Sequence, residues 1–454
     1  MNSNKKRDAS DYFKSLKPTA IRRASELFLK RDDNIRCVNG SIGNISLPVH
    51  YEMWNGLAEL VNGDRSVLRR VYEVVFGRVP KPIKYSGTVG IDEAREGILN
   101  IIAATTTCNT KDLYAHVTAG GSEAMILMML GCCGNPGEDK YPLLVFDPTY
   151  TNYMELAEQI GRKVVSVRRK LSDDGIFTIP SEEEIDTAME QHNPGAALVI
   201  IEDNPTAHSY TKKEMTTIGK LCVKHGIKMV SDEAYRGMNI SNGGRSASVW
   251  NLTDDDVPGI VGNRASIESG SKWGNLCGGR IGALVTDSKS FHDSGVAAHS
   301  PSLCSNVIAQ HALAAMANLD HHEIQGWFRA LGLYYHLLKN NVTQELKRET
   351  PGLIVSKPGG APYSTLDTRN INWLKPSFNA EDFVNFCAQY GSVLIDGEPT
   401  TLLLSPMADF YNVDPGEENP GRTQARLAYA APPEDLYLVP KLFYPLLRQF
   451  NDQL

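Results

Sequence analysis

The sequence predicts an α/β protein: a large domain with a mainly parallel seven-stranded sheet covered by helices, plus a smaller α+β domain. Three observations carry this reading. Seven short apolar runs recur between residues 113 and 287, amphipathic segments with readable ends separate several of them, and after about residue 320 the texture changes. Strands alternating with helices build a parallel sheet buried on both faces.

The seven strands are expected in "LYAHVTAG" (113–120), "LLVFDP" (143–148), "KVVSVRR" (163–169), "ALVIIED" (197–203), "IKMVSDEAY" (227–235), "ASIESGS" (265–271) and "RIGALVTD" (280–287). Each is short and looks like a buried strand. An apolar helix at about 122–132 follows Gly120-Gly121-Ser122. The clearest helix spans 211–225: Thr211 and Glu214 form a capping-box pair, Met215, Ile218, Leu221 and Cys222 make one stripe, and Gly226 stops it. Past residue 320 come a long helix (about 321–349), strands in "LIVSKP", "APYSTLDT", "SVLIDG" and "ARLAYAA", a helix at 380–390 and a closing helix from Pro433. The expected division is therefore 1–55, an N-terminal segment joining the small domain, 56–320, the large domain, and 321–454, the small one.

The chain has 454 residues, 42% hydrophobic and 22% charged, with 46 basic against 53 acidic residues and a net charge of −7. No Lys/Arg block or basic stripe favours nucleic acid or an anionic membrane, so small-molecule chemistry is expected. The eight cysteines are scattered, without C-x-x-C pairs or histidines at zinc spacing. They read as reduced packing residues of a cytoplasmic protein, and no metal site is expected. The start, "MNSNKKRDAS", is polar and no apolar run reaches the ~18 residues of a membrane span, so neither secretion nor insertion is expected.

Open parallel sheets bind ligands at the carboxyl ends of their strands. Those ends carry Gly120-Gly121-Ser122, Pro148-Thr149-Tyr150, Asn204-Pro205-Thr206, Asp232 with Tyr235, and Ser269-Gly270-Ser271-Lys272. That is a candidate anion cradle, an aromatic plate, polar groups, a carboxylate and a lysine. Taken singly, each has a plain alternative: a strand-to-helix turn, a core tyrosine, a helix cap, a surface lysine. "SK" occurs three times, and only Lys272 has an arginine eight residues on, Arg280, and an upstream hydroxyl at Ser269. "DEA" occurs twice; the copy at Asp92 reads as a solvated helix start.

Taken together and in this order, the residues resemble the fold-type I pyridoxal-phosphate enzymes, the aspartate aminotransferase superfamily (aminotransferase class I/II). The resemblance runs from "NGSIGNISLP" near residue 40 to "ARLAYAAPPEDL" near 430, and its specific part is "NPT", "DEAY", "SGSK" and "GGRIG". It implies the PLP-dependent transferase fold and pyridoxal 5'-phosphate as cofactor, whose ring takes up carbanion charge while its nitrogen stays protonated. By resemblance Asp232 holds that proton, and Lys272 is the Schiff-base lysine and proton carrier. Tyr235 and Asn204 would bond the phenolic oxygen and Tyr150 would stack on the ring. Gly121, Ser122, Ser269, Ser271 and Arg280 would hold the phosphate. Tyr85, in "KYSGTVG", matches the tyrosine that reaches the neighbouring subunit's phosphate site, which implies a homodimer with shared sites. Arg426, in "QARLAYA", matches the clamp for the substrate α-carboxylate, and Asn44 is a lining residue. Glu233 is expected to serve the scaffold.

The match departs in two places. Many relatives read Asn-Pro-Thr-Gly where this chain has "NPTAHSY"; an alanine at 207 is accommodated if the backbone stays at negative φ, and His208 is a loop residue or an extra acid/base group. Trp273 is bulky directly after the lysine. The expected activity is an aminotransferase moving nitrogen between an L-amino acid and a 2-oxo acid. The alternative with the same cofactor is a lyase or cyclase that expels a β- or γ-substituent, acting on a substrate like S-adenosylmethionine or a hydroxylated arginine. A non-catalytic module would lack the lysine or carry a DNA-binding domain, and neither sign is present. No second arginine can be assigned as a distal-carboxylate clamp, and the amino acid is not legible.

Overall fold

The computed structural model describes residues 19–62, 83–239 and 247–454, together with Ser10 and Lys14. After β1 (Arg36–Asn39) the chain enters the large sheet with β2 (Tyr114–Thr118), β3 (Leu143–Asp147) and β4 (Val164–Arg168). A small hairpin, β5 (Lys170–Leu171) with β6 (Phe177–Thr178), stands apart. The sheet resumes with β7 (Ala196–Ile200), β8 (Lys228–Asp232), β9 (Arg264–Ser269) and β10 (Gly282–Thr286). Its order is β2-β10-β9-β8-β7-β3-β4, with β10 antiparallel to both neighbours and the other pairings parallel. All seven expected runs form strands of this sheet. β3 and β7 are buried along their whole length, which is why they read as continuous apolar runs without alternation.

Helices cover both faces. Gly121–Cys132 packs between β9 and β10 on one side and helices Asn152–Gln159 and Lys289–His299 on the other. A helix enclosed in this way is apolar all round, and Met125, Leu127, Met128 and Met129 are buried. Helix Lys212–His225 begins with the expected capping box, Thr211 Oγ1 accepting from the Glu214 N–H at 3.2 Å and Glu214 accepting from the Thr211 N–H at 2.7 Å. Gly226 ends it in the left-handed region at φ +65°.

The long helix His321–Glu349, about 43 Å by its rise, packs against both Asp92–Thr105 and the closing helix Val439–Gln453. Beyond it lie β11 (Ile354–Val355), β12 (Tyr363–Asp367), β13 (Val393–Ile395), β14 (Glu398–Leu403), β15 (Ser405–Pro406) and β16 (Gln424–Ala428). They form an antiparallel sheet, β11-β12-β16-β15, and a three-stranded one in which β1 pairs parallel with β14. The N-terminal segment thus reaches the C-terminal strands. β1, β14, β15 and the hairpin were not expected from the sequence. β1 is four residues long, and β14 opens on Glu398-Pro399, which reads as a turn.

Candidate active site

The carboxyl ends of β7, β8 and β9 face β12 and β16 across a cavity of about 880 Å³. Asp232 ends β8 and is 3% exposed, yet it lines this cavity. Tyr153 donates to its Oδ2 at 2.6 Å and the Ala234 N–H to its Oδ1 at 2.9 Å. Burial pushes the carboxyl up to about 6, and no ion pair to it exists among the described residues. An oriented carboxylate with no countercharge, open to a cavity, is suited to a cation brought in by a ligand.

Lys272 sits on the single helical turn Gly270–Trp273 after β9. Ser269 caps that turn by accepting from the Ser271 N–H at 3.3 Å. Lys272 Nζ donates to the Gly43 carbonyl and lies 3.8 Å from Cys277 Sγ. Trp273 is buried on the other side of the turn, where its carbonyl accepts from Trp327 Nε1 at 2.6 Å. The turn therefore drives a large ring into the core and leaves the lysine in the cavity.

The anion cradle lies beside it. Helix Gly121–Cys132 starts in the cavity, so its first N–H groups and the positive end of its dipole point inward. Gly120 precedes it at φ +77°, and a Cβ there would lie 2.7 Å from Arg280 Nη2. Arg280 Nη2 donates to Ser122 Oγ at 3.4 Å, and no carboxylate pairs with this guanidinium among the described residues. Gly121, Ser122, Ser269, Ser271 and Arg280 all line the cavity, as do Tyr150 and Asn44.

Opposite stands Arg426 on β16, 2% exposed, with Nη1 donating to Asn204 Oδ1 at 2.9 Å and Nη2 to the Ser41 carbonyl at 2.6 Å and Ser405 Oγ at 3.1 Å. Its guanidinium lies over the rings of Tyr363 and Phe410, and its buried Nε has no partner among the described residues. Asn204 Nδ2 donates to Tyr235 Oη at 3.3 Å, so the clamp, Asn204 and Tyr235 form one chain of hydrogen bonds. Burial, then the neighbouring Tyr363, hold the Tyr235 phenol well above its ordinary range.

The structure thus brings twelve expected residues, Gly121, Ser122, Tyr150, Asn204, Asp232, Tyr235, Ser269, Ser271, Lys272, Arg280, Arg426 and Asn44, to one cavity. Tyr85 is not among its lining residues and is 79% exposed. Glu233 lies in a fully buried cluster: Ser231 donates to it at 2.8 Å, and Arg236 Nη2 is 3.4 Å from it.

A model of the family "Aminotransferase class I and II" matches residues 80–405. The chain belongs to that family. As a family member it is 22% identical over 374 residues to the aspartate aminotransferase of Sulfolobus acidocaldarius, covering 82% of this chain and 84% of that one. It is 25% identical over 167 residues to a probable kynurenine–oxoglutarate transaminase of Saccharomyces cerevisiae, a match to 35% of this chain and 36% of that relative's length. A cystathionine β-lyase of Bacillus subtilis is 25% identical over 236 residues, 51% of this chain and 57% of that one. Among solved structures, Thermus thermophilus aspartate aminotransferase superposes with a TM-score of 0.74 at 20% identity, covering 97% of this chain and 100% of that one. A putative kynurenine aminotransferase of Saccharomyces cerevisiae gives 0.75 at 19% identity, covering 98% and 99%. The expected membership and fold, a mainly parallel sheet of the aspartate aminotransferase type, are therefore shown, and with them a transferase of the PLP-dependent class.

Two expectations on this family member need correction. Ala207 does not keep negative φ: it sits at +62°, buried, with its N–H donating to the Asp203 carbonyl at 2.9 Å. The loop holds an L-residue in the left-handed region, at a local cost of about 1–2 kcal/mol. Cys277 is not a packing residue, since it lines the cavity beside Lys272. His208 lies 3.5 Å from Glu214 at the start of a helix and does not line the cavity.

Sequence reasoning missed Tyr153, Tyr363 and Gly43. Tyr153 stands on the first turn of the helix Asn152–Gln159, three residues after Tyr150 in "DPTYTNY", and the sequence carried no signal that its hydroxyl reaches Asp232. Tyr363 and Gly43 come from distant segments and carry no local signal.

Proposed function

We propose that the cavity binds pyridoxal 5'-phosphate and transfers an amino group from an L-amino acid to a 2-oxo acid. The observation that carries this is the buried, doubly hydrogen-bonded Asp232 without a countercharge, in one cavity with Lys272 and the Gly121–Arg280 cradle. When bound, the cofactor supplies an electron-accepting ring for charge developing at the substrate Cα.

The chain's residues supply the rest. Asp232 would keep the ring nitrogen protonated, with Tyr153 and the Ala234 N–H fixing its two oxygens. Tyr235 and Asn204 would hold the phenolic oxygen, Tyr150 the ring face, and Ser122, Ser269, Ser271, Arg280 and the N–H of Gly121 the phosphate. Lys272 Nζ would hold the cofactor at its carbonyl carbon and would be the group that carries the substrate Cα proton. Arg426 would orient the α-carboxylate, and Asn44 lies on the cavity wall.

A homodimer belongs to the same proposal: Tyr85 is exposed and outside its own cavity, which suits a tyrosine that serves a neighbour's phosphate site. So does a division at about residues 55 and 320, with a role in amino-acid biosynthesis in the cytoplasm. Among the described residues no helix is long and apolar enough to cross a membrane, and no cluster of three or more His, Cys, Asp or Glu could hold a metal.

The test is to load the protein with cofactor and add single amino acids. Conversion to the pyridoxamine form, reversed by a 2-oxo acid, supports the proposal. Release of a β- or γ-leaving group without that conversion overturns it in favour of a lyase.

A further inference from the structure

Tyr363 opens β12 and is 2% exposed, with its ring 4.6 Å under the Arg426 guanidinium and edge-on to Tyr235 at 5.6 Å. The hydroxyls of Tyr235 and Tyr363 are 3.0 Å apart, with Tyr235 donating. Asn204 Nδ2 already donates to the same Tyr235 oxygen. A phenolic hydroxyl has one hydrogen and room for two donors, and its hydrogen turns toward the best acceptor.

We propose that Tyr363 is a positioning residue: with an acceptor in the cavity its hydroxyl turns to donate to Tyr235, fills the second acceptor place beside Asn204, and so commits Tyr235's single hydrogen to the cofactor's phenolic oxygen. This rests on the reading of the cavity as a pyridoxal-phosphate site. Hydrogen bonds in series polarise one another, so Tyr235 becomes a stronger donor. A stronger donor on the phenolic oxygen draws charge from it and weakens its hold on the proton of the adjoining nitrogen contributed by Lys272. That nitrogen then loses its proton to solvent at lower pH, so near neutrality it can accept the proton of an incoming substrate ammonium and leave that amine free to attack. The same ring supports Arg426, so one side chain ties the substrate clamp to the electronics of the cofactor.

Tyr363→Phe separates the two roles, because it keeps the ring under Arg426 and removes only the hydroxyl. The readout is the pH midpoint of the bound cofactor's absorbance change, which a purely structural tyrosine would not move. The expected result is a midpoint raised by about half a pH unit. Tyr235→Phe should raise it further, and the double variant Tyr235→Phe/Tyr363→Phe should match Tyr235→Phe alone, since Tyr363 acts only through that hydroxyl. An unchanged midpoint in Tyr363→Phe, or an equal further rise in the double variant, overturns the proposal. Absence of any cofactor absorbance in the unaltered protein is a separate result that removes the underlying reading.

Discussion

Tyr153 donates to Asp232 Oδ2 at 2.6 Å while the Ala234 N–H donates to Oδ1 at 2.9 Å, so both oxygens of the cavity carboxylate are fixed before any ligand arrives. Burial raises this carboxyl from 3.8 to about 6. A carboxyl raised on folding takes its proton more readily in the folded chain. Its cost to stability is absent below the unfolded value and complete above the folded one. That cost amounts at most to about 3 kcal/mol, and a cation opposite Asp232 removes it. Cofactor should therefore raise the melting temperature more at about pH 7 than at about pH 4, and Asp232→Asn should flatten the difference. Paired scans of loaded and unloaded protein check this.

Arg426→Lys keeps the charge and removes the planar fork. The prediction is a KM for amino acids raised about 100-fold, with much less change in cofactor affinity. Steady-state kinetics and a cofactor titration on the same variant separate the two.

A Cβ at Gly43 would lie 2.5 Å from the Tyr363 hydroxyl and 3.0 Å from Lys272 Nζ. Gly43→Ala should displace one or both and lower kcat about 10- to 100-fold.

Behind the site, Arg236 bonds both oxygens of Glu268, at 2.6 and 3.0 Å, and approaches Glu233 at 3.4 Å, all of them buried. Arg236→Met leaves two buried carboxylates without their cation. The expected loss is about 3–5 kcal/mol of stability, read by denaturant unfolding.

What the sequence made legible follows from where the constraints are local. Lys272, Ser269 and Arg280 stand at fixed offsets because two successive turns after β9, Gly270–Trp273 and Cys277–Gly279, set a lysine and an arginine at one cavity, and Asp232 with Tyr235 reaches it from the end of β8. β3 and β7 were readable because burial on both faces leaves unbroken apolar runs. β1 was not, since its partner strand β14 lies at the far end of the chain and four residues show no period. Tyr363 and Gly43 owe their importance to a meeting of the N-terminal segment, the lysine turn and β12 that no single window contains. Ala207 shows the converse limit: its residue type argues for negative φ, and the packed loop overrides it.

The central claim is that Lys272 is the amine that holds the cofactor. Borohydride reduction of the loaded protein, followed by digestion and mass spectrometry, should place the pyridoxyl group on Lys272 and leave the Lys272→Ala variant unlabelled. The sharpest competitor is Lys339, whose ammonium burial lowers to about 7 but which does not line the cavity. A label on Lys339 or any other lysine, or its persistence in Lys272→Ala, would contradict the account.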